Sequence, residues 1–151
     1  MTSVIIQFYT PDDVFGTQDD KDWNTHVRVD LCTIRNEIVA YLDSNLGGSQ
    51  DLDHQYSYRL QVNGPWFTKS RIEQGYIHLR IDTVGSDSWL FTFALYLKYS
   101  DGGTTRCVIY TSINGGYKLS GDSDNRTRYF DIDGVNAEPA DVPGLPKYTS
   151  P

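Results

Sequence analysis

The segment "SWLFTFALYLKYSDGG", residues 88–103, constrains the fold more than any other stretch of the chain. Trp89, Phe91, Phe93, Leu95 and Leu97 fall on one side of an extended backbone, and Leu90, Ala94 and Tyr96 make the other side nearly as apolar. Side chains alternate across a strand, so a strand apolar on both sides needs cover on both and belongs at the centre of a β structure. The run stops at "SDGG", whose glycines permit the positive φ of a tight turn, and "TRCVIYTSI" follows at once. Residues 88–113 are therefore expected to form a β-hairpin.

Other segments alternate more strictly. "THVRVDLC" sets Val27, Val29 and Leu31 against His26, Arg28 and Asp30; "HQYSYRLQV" sends Tyr56, Tyr58, Leu60 and Val62 one way; "GYIHLRID" sends Ile77, Leu79 and Ile81 opposite His78 and Arg80. Each pattern is that of a half-buried strand whose apolar face needs a partner. "VIIQFY" near the start reads as a short strand closed by "TPDD", and a last strand is expected near 127–132. "TIRNEIVAYLDSNLGG" is ambiguous, because Ile34, Ile38, Tyr41 and Leu42 fit a helical stripe while "EIVAYL" suits a strand, the reading favoured. Many short strands, regular turns and little helix predict an all-β, two-layer antiparallel β-sandwich. The domain is expected to span residues 1–135, with residues 136–151, rich in proline, forming a C-terminal tail.

A chain of 151 residues is the size of one ordinary domain. Its net charge of −7 disfavours nucleic acid as a partner. No apolar run is long enough to span a bilayer, and the opening residues lack the pattern of a secretory signal, so the expectation is a soluble chain of unassigned location. The two cysteines, Cys32 and Cys107, have neither metal-site nor redox-motif spacing and read as buried free thiols, with a bridge between them as the alternative.

The aspartates cluster where turns are expected: Asp12 and Asp13, Asp19, Asp20 and Asp22, Asp51 and Asp53, Asp87, Asp122 and Asp124, Asp131 and Asp133. Such loops suit calcium, which takes six to eight oxygens in irregular geometry. In "DDKDWN", residues 19–24, oxygen-bearing side chains recur at Asp20, Asp22 and Asn24, so a curled loop could converge them. The competing reading is a solvated acidic turn. Repulsion among Asp19, Asp20 and Asp22, partly offset by Lys21, favours the cation.

The opening "VIIQFYTPDDVFGTQDDKDWNTHVRVDL" resembles the first hairpin of the PLAT (lipoxygenase homology) domains: a strand, a threonine-led turn at Thr10, a glycine-threonine pair at Gly16 and Thr17, an acidic loop and an alternating strand. "YIHLRIDTVGSDSWLFTFALYL" is similar to that family's later pattern, with Asp87 and Trp89 in place of its acidic loop and strand-opening tryptophan. The likeness covers roughly residues 4–100 and departs from the pattern at Pro11 and in the shorter loop before Trp89. It implies an eight-stranded, non-catalytic sandwich, often calcium-binding at one end, that docks on membranes, lipids or proteins through loop aromatics. The expected metal ligands are Asp20, Asp22 and Asn24 from the loop spacing, with Asp87 from the opposing loop as a further candidate and Asp13 as an outlying one.

Trp23 and Trp66 are the candidate contact residues; either could instead fold back onto the domain, whereas Trp89 opens an apolar strand and is assigned to the core. A second reading is a lectin or carbohydrate-binding module, using loop Asp and Asn side chains with Trp or Tyr as stacking platform. A third is a self-assembling structural or toxin-like subunit. No enzyme is expected: the three histidines, His26, His54 and His78, read as surface residues, and no nucleophile motif or phosphate-cradling loop accompanies them.

Overall fold

The computed structural model describes residues 3–10, 21, 24–46, 55–64, 67–83, 87–99, 105–110 (as backbone), 117–121 and 126–132. These hold, in order, β1 (Ser3–Tyr9), β2 (His26–Cys32), β3 (Ile38–Ser44), β4 (Gln55–Val62), α1 (Lys69–Glu73), β5 (Tyr76–Asp82), β6 (Ser88–Lys98), β7 (Thr105–Tyr110), β8 (Tyr117–Ser120) and β9 (Thr127–Asp131). All strand pairings are antiparallel. The all-β antiparallel expectation therefore holds.

The division into two layers is not seen as a break in hydrogen bonding. A single path runs β7-β6-β1-β4-β3-β2-β5-β9, with β8 also paired to β6, and the sheet curls until it is nearly a barrel. Strand β4 makes the path continuous. It pairs with β1 from Val4↔Leu60 to Tyr9↔Gln55, and with β3 at Ala40↔Val62 and Tyr41↔Gln61. Strand twist coils a long sheet, and a sheet apolar on one face can cover that face by wrapping around it. The two ends of the sheet approach where Phe130 of β9 meets Tyr117 of β8, ring centroids 4.7 Å apart.

The interior is the set that alternation picks out. Val4, Ile6 and Phe8 of β1, Val27, Val29 and Leu31 of β2, Ile77, Leu79 and Ile81 of β5, and Trp89, Phe91, Phe93, Leu95 and Leu97 of β6 are all buried in one cluster. Phe8 lies among Trp89, Phe91 and Phe93, with centroids 4.9, 5.8 and 6.1 Å from its own. Burying a side chain of this size contributes about 1.5–3 kcal/mol each. Strand β6 is central as expected, with β1 on one edge and β7 and β8 on the other.

The ambiguous segment resolves to a strand. Ile34 is left exposed in a turn at Thr33–Asn36, where Asn36 takes a φ of 64° and the Thr33 hydroxyl accepts from the amides of Arg35 and Glu37. Two elements escape the alternation argument. Helix α1 is a single turn capped by Thr68, whose hydroxyl accepts from the Arg71 amide, and it buries only Ile72. Its C-cap is Gln74, and at the next residue, Gly75, a Cβ would fall 1.9 Å from the Cys32 carbonyl oxygen, so no other residue fits. Strand β8 precedes the strand expected near 127–132, and its Tyr117 and Leu119 are buried in the core.

Cys32 is a buried free thiol. The tail at 136–151 lies outside the described residues. No helix among the described residues is long and apolar enough to cross a membrane.

Candidate functional site

At one end of the nearly closed sheet, beside the apolar packing of Trp89, four segments are tied together by polar bonds. Thr10, just past β1, accepts a hydrogen bond from the Trp89 indole N–H at 3.0 Å, both residues being buried. Lys21 and Thr25, ahead of β2, are both fully buried, and the Lys21 ammonium donates to the Thr25 carbonyl at 3.0 Å. The Thr25 hydroxyl donates to Oδ2 of Asp87, which precedes β6 and is itself buried. The Asp87 carbonyl in turn accepts from the amide of Gly121, after β8, at 2.8 Å.

The energetics of this cluster differ from those of a loop in water. Removing an ammonium and a carboxylate from solvent costs several kcal/mol per ion unless charges and hydrogen bonds compensate. The Lys21 to Thr25 bond ties Lys21 to the residue that precedes β2.

Of the expected ligands, Asp87 stands in this cluster and Asn24 occupies the half-buried turn position before Thr25. Asp13, Asp20, Asp22, Trp23 and Trp66 lie outside the described residues. Among the described residues no three His, Cys, Asp or Glu side chains converge as a metal site. Trp89 is buried in the core, as assigned. Lys21, which in the sequence only partly offsets the charge of Asp19, Asp20 and Asp22, is completely buried by the fold. Nothing in its neighbours, Asp20 and Asp22, signals that.

A second polar group lies on the outer surface of β2, β3, β5 and β9. Arg28 pairs with Asp30 at 2.6 Å and with Asp43 at 3.3 Å, and His26 pairs with Asp43 at 2.8 Å. The carboxylate of Asp30, bonded to Arg28, holds the guanidinium pKa above its ordinary value against the opposing effect of burial. The Arg28 guanidinium also stands 4.8 Å over the Tyr41 ring. His78 stacks on Tyr129 at 4.4 Å and 5°, so its ring is half-buried and not the open surface group that alternation suggests.

The His78 imidazole approaches Asp30 through Nδ1 at 4.0 Å and meets the Thr127 hydroxyl through Nε2. That hydroxyl also donates to the Leu79 carbonyl at 3.2 Å. Burial lowers the His78 pKa, which favours the neutral ring, and Asp30 opposes that shift.

Beneath them the Cys32 thiol is pushed up in pKa by burial, as is the neighbouring Tyr76 phenol. Tyr76 donates to Asn36 at 2.7 Å.

Comparison with known proteins adds no relative to this geometry: no protein-family model matches the chain, and no curated protein or solved structure matches it at a significant level.

Proposed function

We propose that the chain is a non-enzymatic recognition module, a PLAT-like antiparallel sandwich in plan, which docks on a lipid or protein surface through the loops at the Asp87 end. Calcium would be held by Asp20, Asp22 and Asn24, with Asp87 contributing from the facing segment and Asp13 as a further oxygen. Trp23 and Trp66 would make the contact.

The observation that supports this reading is the buried clamp at Lys21, Thr25 and Asp87. It costs more to bury than an apolar plug would, and it anchors the segment that carries the candidate ligands and Trp23. A carboxylate offers about four acceptor positions, so the bond from Thr25 and coordination of a metal at Asp87 are compatible. The donor set is all oxygen, the preference of calcium.

Thermal unfolding in millimolar calcium and in chelator tests this directly. A ligand that binds only the folded chain stabilises it by about 2.7 kcal/mol at a hundredfold excess over Kd. Calcium should raise the Tm of the wild type, and Asp22→Asn should abolish the rise. Trp23→Ala should keep the rise while losing calcium-dependent sedimentation with anionic vesicles. An unchanged Tm in wild type removes calcium from the proposal.

A further inference from the structure

The outer face of β9, β5, β2, β3 and β4 carries a row of side chains that the loop end does not use. Antiparallel register sets Tyr129 opposite His78, His78 opposite Asp30, Asp30 opposite Tyr41, and Tyr41 opposite Gln61. Directly opposed residues share a face of a sheet. Their neighbours Val29, Leu79, Ala40, Leu60 and Phe130 are buried on the inner side, so the row lies on the outside. With strands about 4.8 Å apart, five strands span about 19 Å, and the two tyrosines stand about 14 Å apart.

The chemistry of the row is specific. Tyr129 is 63% exposed, an unusual state for a large aromatic ring here, yet it is not loose, because His78 lies flat against it. Tyr41 is held under the Arg28 guanidinium. The one formal charge in the row, Asp30, is neutralised by Arg28, and Arg28 is in turn shared with Asp43. The row thus offers oriented aromatic rings at two places and fixed hydrogen-bonding groups between and beside them, with its charges already paired.

We infer that this row is a binding platform for a neutral oligosaccharide. A pyranose presents a C–H face that stacks on an aromatic ring and an edge of hydroxyls that both donate and accept. Rigid tyrosines suit the first, and the Asp43, Arg28 and Gln61 side chains suit the second. Paired charges favour a neutral ligand over an ion, because an ionic ligand would have to displace a partner already in place. The separation of the rings exceeds one sugar unit, so the ligand class is a chain of sugars and not a monosaccharide. The platform does not depend on the loop reading, since none of its residues belongs to the Lys21, Thr25 and Asp87 cluster.

The test is binding of the full chain to cello-, xylo-, manno- and maltohexaose by calorimetry, with affinity electrophoresis in the matching polymers. At least one should bind, in chelator as well as in calcium. Tyr129→Ala and Tyr41→Ala should each weaken it about tenfold without changing the far-ultraviolet spectrum, while Trp23→Ala leaves it unaltered. Gln61→Ala, an exposed position, provides a second probe that spares the ring packing. No binding to any of the four sugars or polymers overturns the inference. So does binding that survives both tyrosine changes, or a concentration-dependent mass that Tyr129→Ala abolishes, which would make the face a contact between copies of the chain.

Discussion

The barrel end and the outer row use similar residues in opposite environments. At the end, Lys21, Thr25 and Asp87 are removed from water and held by one another and by the backbone. On the outer face, Arg28, Asp43, His26 and His78 make comparable contacts while water still reaches them. The difference teaches that a polar contact is weighted by its surroundings: the same pairing chemistry becomes structural when buried and adjustable when exposed.

The widest test of that contrast is Asp87→Ala. It removes the acceptor of the Thr25 hydroxyl and the negative charge from a cluster that also buries Lys21, and should destabilise the fold by about 3 kcal/mol in urea unfolding. Asp87→Asn keeps an acceptor and should cost less. If Asp87→Ala is nearly neutral, water penetrates the cluster and the contrast fails.

Arg28→Ala breaks the outer network at its most connected member. Because the pairs are part-solvated, the expected loss is about 1 kcal/mol in the same measurement. A loss equal to that of Asp87→Ala would show the outer row to be as structural as the barrel end.

The smallest effect concerns pH. Burial holds the His78 pKa below its ordinary 6.5, with Asp30 pushing the other way and Arg80 and Arg28 adding to the lowering. As pH falls below 6.5, the unfolded chain takes up the proton before the folded one does, so stability declines through that window. Above it both states are neutral at this residue and the effect vanishes. Tm measured at descending pH should show a decline that His78→Gln reduces; an identical profile in the variant would assign the decline to other groups.

The parts legible in sequence are those governed by local periodicity. Alternation placed Val27, Val29 and Leu31, and Ile77, Leu79 and Ile81, on the inner face, because a strand's side chains have a period of two whatever its neighbours are. The turn at Thr33–Asn36 was harder to see, since Ile34 imitates a helical stripe until Asn36 adopts its positive φ. The bond from Trp89 to Thr10, and that from Thr25 to Asp87, join positions distant in sequence and follow from no local pattern. The burial of Lys21 had no local signal, because it depends on Thr25 and Asp87 arriving from elsewhere in the fold.

By itself, then, the sequence determined that this chain builds antiparallel strands around a single aromatic-rich core, since apolar alternation and glycine turns act over a few residues. Tertiary structure alone decided that the strands form one path curling nearly into a barrel, through the short pairing of Ala40 and Tyr41 with Val62 and Gln61. It also decided that Tyr129, His78, Asp30, Tyr41 and Gln61 stand in line, because register between distant strands is set by the packing of their buried faces and not by any one strand.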